Sequence, residues 1–151
     1  MNKAQYDDYA RDTLICRGLE DWDVVWEKTA TTLGRCFFDE KEIRLSEMWM
    51  HVADFKDVIL HEIAHAMTPL DAVHNELPHG PTWKKNCQIL GLIEAKAHYK
   101  PKADAPKGSV EIICIACNKV VRNMHRRNKR SIQNKYHTPC GVAGRLEFRN
   151  V

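Results

Sequence analysis

No apolar run in the 151-residue sequence approaches the ~20 residues of a membrane-spanning helix, which argues against a membrane partner. A secretory leader is not expected either. The opening stretch Met1-Asn2-Lys3-Ala4-Gln5-Tyr6-Asp7-Asp8 is polar and acidic where a leader is apolar. A non-secreted protein, cytoplasmic or nucleoid-associated, is therefore expected. Nor do the six cysteines suggest a disulfide framework. Cys16, Cys36 and Cys87 are scattered singly, while Cys114, Cys117 and Cys140 fall at metal-ligand spacing. In a reducing compartment these read as small buried side chains and as thiolates for a metal. There is no internal repeat and no low-complexity tract, so repeat architectures are excluded.

What is present is a soluble-type composition, 44% apolar and 28% charged, with enough apolar surface for a real core. The length allows one compact domain and an appendage. A net charge of +3 conceals an asymmetry. Residues 1–95 carry 10 Lys/Arg against 17 Asp/Glu, whereas residues 96–151 carry 13 against 3. An acidic body with a basic tail implies that the tail meets a polyanion.

Local patterns divide the chain further. Asn2 can cap a first helix, with Gln5 as the return partner of a capping box, and Gly18 can end it. From Asp21 to Leu45, residues such as Trp22, Val24, Val25, Trp26, Thr29, Thr31 and Thr32 favour strand. Asp39-Glu40-Lys41 breaks Arg35–Phe38 from Glu42–Leu45, as in a hairpin. Two or three short antiparallel strands are predicted. A helix from about Asp54 to Met67 follows, with Phe55, Ile59, Ile63 and Met67 on one stripe. Pro69 and Asp71–Leu77 read as a loop. Pro81 suits the first turn of another helix carrying Trp83, Cys87 and Leu90, with Gly91 as its stop. Lys96 to Ser109 reads as a linker, and Val110–Val151 as a basic segment with strands at both ends. The aromatic residues Trp22, Trp26, Trp49, Phe37, Phe38 and Phe55 read as core.

The chemistry-bearing stretch is His61-Glu62-Ile63-Ala64-His65. Two imidazoles four residues apart share a helix face and can share one Zn²⁺, and the intervening glutamate can polarise a metal-bound water. A hydrolytic zinc needs a third protein ligand. The metzincin spacing would require glycine at 68 and histidine at 71, where this chain has Thr68 and Asp71. The candidates are then Asp71, His74, Glu76 and His79. His79 is favoured, because Gly80-Pro81 follows it at the entrance to the next helix and Trp83 lies one turn on. Glu62 would accept the proton of the attacking water and pass it to the leaving amine.

Several segments together resemble the SprT-like zinc metalloproteases, which include the Spartan-type DNA–protein crosslink proteases. They are Leu33-Gly34-Arg35-Cys36, Ile43-Arg44-Leu45-Ser46, Leu60-His61-Glu62-Ile63-Ala64-His65-Ala66 and His79-Gly80-Pro81-Thr82-Trp83. The resemblance implies an α+β, zincin-like fold with helices packed on a small antiparallel sheet and a C-terminal zinc ribbon. It implies that His61, His65 and His79 hold a catalytic zinc, with Glu62 as general base. It also implies that the Ile43–Ser46 segment flanks the active-site cleft, where an extended peptide could add to its edge.

In the tail, Cys114-Ile115-Ala116-Cys117 is followed after 19 residues by His137-Thr138-Pro139-Cys140. This is zinc-ribbon spacing with histidine replacing one cysteine, giving a structural Cys₃His zinc site. In the resembling family that position is typically cysteine, so His125 remains the alternative fourth ligand. Asn118 and Gly141 can supply the left-handed turns of such knuckles. Between the knuckles lie Arg122, Arg126, Arg127, Lys129 and Arg130, the expected contacts to single- or double-stranded DNA. The expectation is a monomeric zinc endopeptidase with one catalytic and one structural zinc, cleaving proteins bound or crosslinked to DNA. Two rivals are a zinc peptidase with a DNA-independent protein substrate and a non-catalytic nucleic-acid-binding zinc protein.

Overall fold

The computed structural model describes residues 1–92, 94–96 and 108–151. The chain divides into two compact units, Met1–Ala105 and Pro106–Val151. Most of the linker expected at 96–109 lies outside the described residues. Among the described residues, no helix is long and apolar enough to cross a membrane.

The first unit begins with α1 (Lys3–Cys16). Asn2 caps it by accepting the Gln5 N–H at 2.9 Å, while the Gln5 side chain accepts the Asn2 N–H at 2.9 Å, so two otherwise orphaned donors are satisfied. Tyr6, Ala10 and Leu14 form its buried stripe. Three strands follow, β1 (Asp23–Glu27), β2 (Gly34–Phe37) and β3 (Glu42–Ser46). Lys41, with φ 52°, turns the β2–β3 hairpin.

The sheet order is β1-β3-β2. β2 and β3 pair antiparallel as predicted, but β1 runs parallel to β3, with Val24 opposite Ile43 and Trp26 opposite Leu45. The antiparallel expectation is therefore corrected for one pair, and the sheet is mixed. Thr29, Thr31 and Thr32 are not strand residues. The Thr29 carbonyl accepts the Ser46 hydroxyl instead, tying the β1–β2 connection to the end of β3.

Flanked on both sides, β3 is the central strand, and its Ile43 and Leu45 are buried in the main core. Onto this core packs α2 (Phe55–Ala66), with Phe55, Ile59 and Ile63 fully buried and Met67 packed beside them. Each such aliphatic or aromatic burial contributes roughly 1.5–3 kcal/mol. A second face of α2, Leu60 and Ala64, meets Trp83 and Cys87 of α4 (Pro81–Ile89).

Between them lies α3 (Leu70–Asn75), in a stretch read from sequence as loop. It buries none of its residues, so it carries no apolar periodicity to read. The Pro69 carbonyl accepts the Val73 N–H at 3.0 Å and starts the turn.

The second unit is a three-stranded antiparallel sheet of β4 (Val110–Cys114), β5 (Val120–Met124) and β6 (Leu146–Asn150), in the order β5-β4-β6. Val110, Ile112 and Cys114 are the buried apolar side chains among its described residues, while Ile115, Val120, Val121, Tyr136 and Val142 are exposed. Its apolar core is small.

Candidate metal centres and the cleft beside the histidine triad

The helical period of α2 sets His61 and His65 one turn apart, on the side not used by the core stripe. His79 is brought to them by the turn that enters α4. The three Nε2 atoms form a nearly equilateral triangle with sides of 3.2, 3.2 and 3.1 Å. Neutral imidazoles offer each Nε2 as donor or acceptor, so three of them cannot satisfy one another all round a triangle. A tetrahedral zinc with Zn–N distances of about 2.0–2.1 Å spaces its nitrogens by about 3.3 Å, which these residues fit. Burial first, then the neighbouring His61 and His79, pulls His65 down to about 3, so its ring is in the neutral, ligating form.

Other residues fix the rings. His61 Nδ1 lies 3.1 Å from the Lys96 carbonyl, which sets the tautomer with Nε2 unprotonated. The Trp83 indole packs under all three imidazoles, with ring centroids 4.8, 5.5 and 4.6 Å from His61, His65 and His79. Its Nε1–H points to the His61 carbonyl at 3.4 Å. Asn86 donates to the Ala64 carbonyl at 3.1 Å and adds a second tie between α4 and α2.

Of the four residues weighed as third ligand, only His79 joins the triangle. Glu76 has a different task that sequence reading missed. Its carboxylate accepts the Thr82 N–H at 2.9 Å and the Thr82 hydroxyl at 2.6 Å, capping α4 from outside the helix. A Cβ on Gly80 would stand 2.9 Å from the Leu77 backbone carbonyl and 2.7 Å from that carboxylate, so the turn that presents His79 favours glycine. The signal was there to find, an acid six residues before a helix threonine, but it matches no standard capping spacing.

Glu62 is buried, 7% exposed, and faces the sheet. Burial pushes its carboxyl up to about 8, while the charge of Arg35 works in the opposite direction. Its neighbour across the gap is Gly34 of β2. A Cβ there would lie 2.8 Å from Glu62 Cγ and 2.9 Å from Oε1, so only glycine leaves the side chain its place. Glu62, the three histidines, residues 31–38, Val58 and Pro78 line a cleft of about 590 Å³.

The strand along that cleft is β2, not the Ile43–Ser46 segment. β3 is bonded on both edges and has none to offer, whereas β2 is the edge strand. Phe37 and Phe38, read as core, are only half-buried and line the cleft. Cys36 lines it too, its thiol pushed well above the ordinary value by burial and then by Glu62.

In the second unit, Cys114, Cys117, His137 and Cys140 bring one donor atom each to within 4.8 Å of one another. His137 Nδ1 lies 3.4 Å from Cys117 Sγ and 3.3 Å from Cys140 Sγ. Three thiols and an imidazole at these spacings are the donor set of a closed tetrahedral zinc site. Among the described residues, His125 does not join the group. Asn118 and Gly141 both take positive φ, 59° and 56°; at Gly141 ψ is −146°, an extended conformation open to glycine rather than the left-handed helical turn expected. Arg122 lies on β5, and Arg126, Arg127, Lys129 and Arg130 follow it, all exposed. Among the described residues, none of the five is in an ion pair with a carboxylate, although Arg127 donates to Asn150 Oδ1 at 3.0 Å.

The family model described as the SprT-like family matches residues 3–102. No curated protein matches the chain.

Proposed function

The chain belongs to the SprT-like family, and from that premise we propose a zinc-dependent endopeptidase that cleaves proteins bound or crosslinked to DNA. The observation that carries the reading is the Nε2 triangle, with sides of 3.1–3.2 Å, beside a buried glutamate in a cleft walled by an edge strand. His61, His65 and His79 would hold the catalytic zinc. Bound there, the ion supplies Lewis acidity toward the scissile carbonyl and acidifies water.

The remaining work belongs to the chain. An extended substrate adds to the free edge of β2 by backbone hydrogen bonds, which read no sequence. Glu62 takes the proton of the attacking water and hands it to the leaving amine. Gly34 keeps that carboxylate in position, and Trp83 shields the underside of the three rings from solvent. Gly34→Ala should leave the bound zinc in place and cost about 1–3 kcal/mol of stability, while lowering kcat/KM of the folded enzyme about 10–100-fold, because the added methyl displaces Glu62. Metal analysis and kinetics on the same preparation test this; a wild-type rate would remove Gly34 from the argument.

Cys114, Cys117, His137 and Cys140 would hold a second, structural zinc, and the exposed Arg122, Arg126, Arg127, Lys129 and Arg130 would meet DNA phosphates. If all five engage, log K should fall with log salt at a slope of about −4 to −5, a loss of several-hundred-fold between 50 and 200 mM. The deciding experiment is cleavage of a DNA-binding protein with and without DNA, at low and high salt. Faster cleavage on DNA, lost as salt rises, supports the reading. Equal cleavage without DNA would leave a peptidase whose substrate is unrelated to DNA. No cleavage under any condition would favour a non-catalytic zinc protein, an outcome that an intact Glu62 beside the triangle argues against.

A further inference from the structure

Beside the main cleft lies a second, smaller cavity of about 140 Å³. Its apolar wall comes from Phe38, Ala72, Val73, Leu77, Pro78 and Trp83. Phe38, His65 and Pro78 border both it and the cleft. We propose that this cavity receives the side chain of a leucine, methionine or phenylalanine next to the scissile bond of the substrate. The proposal rests on the peptidase reading above and deepens it by assigning a substrate preference.

Three observations carry it. The first is position. β2 ends at Phe37, one residue before Phe38 in the cavity wall. A peptide laid along β2 projects successive side chains to opposite faces, so one residue passing the triangle can point into the cavity. The second is size. An apolar cavity of about 150 Å³ takes a benzene ring, so about 140 Å³ suits a side chain of roughly four to seven non-hydrogen atoms and not an indole.

The third is polarity. Most of the polar side-chain atoms in the wall are already engaged. The Thr68 hydroxyl donates to the Ala64 carbonyl at 3.0 Å and lies 3.3 Å from Asn86 Nδ2. The Glu76 carboxylate is held by Thr82 at 2.9 and 2.6 Å. His65 Nε2 faces the other two imidazoles. A polar side chain entering here gives up water for nothing comparable, whereas an apolar one gains by burial.

The test uses the full-length, zinc-loaded protein and paired peptides that differ only in one residue flanking the cut. Leucine, methionine or phenylalanine at one fixed position should raise kcat/KM at least 10-fold over glycine, aspartate or lysine. Ala72→Phe, which fills the cavity from α3, should bring the leucine-to-glycine ratio to within about 2-fold. Val73→Ala, which enlarges it, should shift preference toward phenylalanine. Each ratio is taken within one preparation, so loss of folded protein cancels.

Calorimetric binding of the same peptides to Glu62→Gln gives a readout without turnover, and the leucine peptide should again bind about 10-fold tighter. Cleavage with no residue preference, or with lysine or arginine favoured, would overturn the proposal and leave the peptidase standing. No cleavage by wild type, with leucine-selective binding retained, would overturn the peptidase and leave the pocket. Neither cleavage nor selective binding would remove both.

Discussion

Glu62→Gln is expected to lower turnover by about 10²–10⁴-fold while leaving the fold and the zinc content unchanged. The side chain is buried and borders the cleft, yet it is not one of the three donors in the Nε2 triangle. Glutamine has nearly the same shape, so it fits against Gly34, where there is no room for more. What it loses is the ability to accept and release a proton. The variant should therefore bind substrate, bind metal and stall. Kinetics with metal analysis on one sample check this. A variant that cuts at the wild-type rate would end the general-base assignment. One that has lost its zinc would show that the glutamate supports the metal and leave its proton transfer without evidence.

The second large effect concerns the C-terminal unit. Cys114→Ser should unfold residues 108–151 and abolish the DNA binding proposed above, while residues 1–92 keep their structure. The buried apolar residues of that unit are Val110, Ile112 and Cys114 itself, and several of its other apolar side chains face solvent. So little burial cannot offset the entropy of ordering the three strands. A structural zinc in a small domain supplies on the order of 10–16 kcal/mol of apparent folding free energy at neutral pH, which is ample.

Of the thiols, Cys114 is predisposed to it. Burial opposes the Cys114 thiolate, but the N–H groups of Cys117 and Ala116 and the neighbouring thiols outweigh it and lower the pKa. Cys140 is pushed up to about 11, by Cys117 first and then by burial and Cys114. Amide spectra that stay dispersed for residues 108–151 in the variant would show that the strands stand without the metal.

Much of this was legible in the chain, for reasons that are local. The Asn2–Gln5 capping box, the α2 stripe from Phe55 to Ile63 and Pro81 at the start of α4 depend on neighbours within a few residues. The 61, 65, 79 grouping followed from helix spacing and a turn signal. What escaped was non-local. Nothing near Val24 specifies that it faces Ile43 in parallel, because that choice depends on which strand takes the far side of β3. For the same reason the cleft was assigned to Ile43–Ser46, when the central position of that strand hands the free edge to β2. α3 left no trace because it buries nothing, and Glu76 reads from sequence only as a candidate metal ligand because its capping partner is six residues away.

The contact between His61 Nδ1 and the Lys96 carbonyl has a practical consequence for anyone dissecting this protein. All three histidines are encoded before residue 80, and it would be natural to trim after the last helix. Such a fragment keeps every ligand atom and discards the acceptor that tells the first ring which nitrogen to leave bare. The minimal piece worth expressing runs past residue 96, where the tail begins.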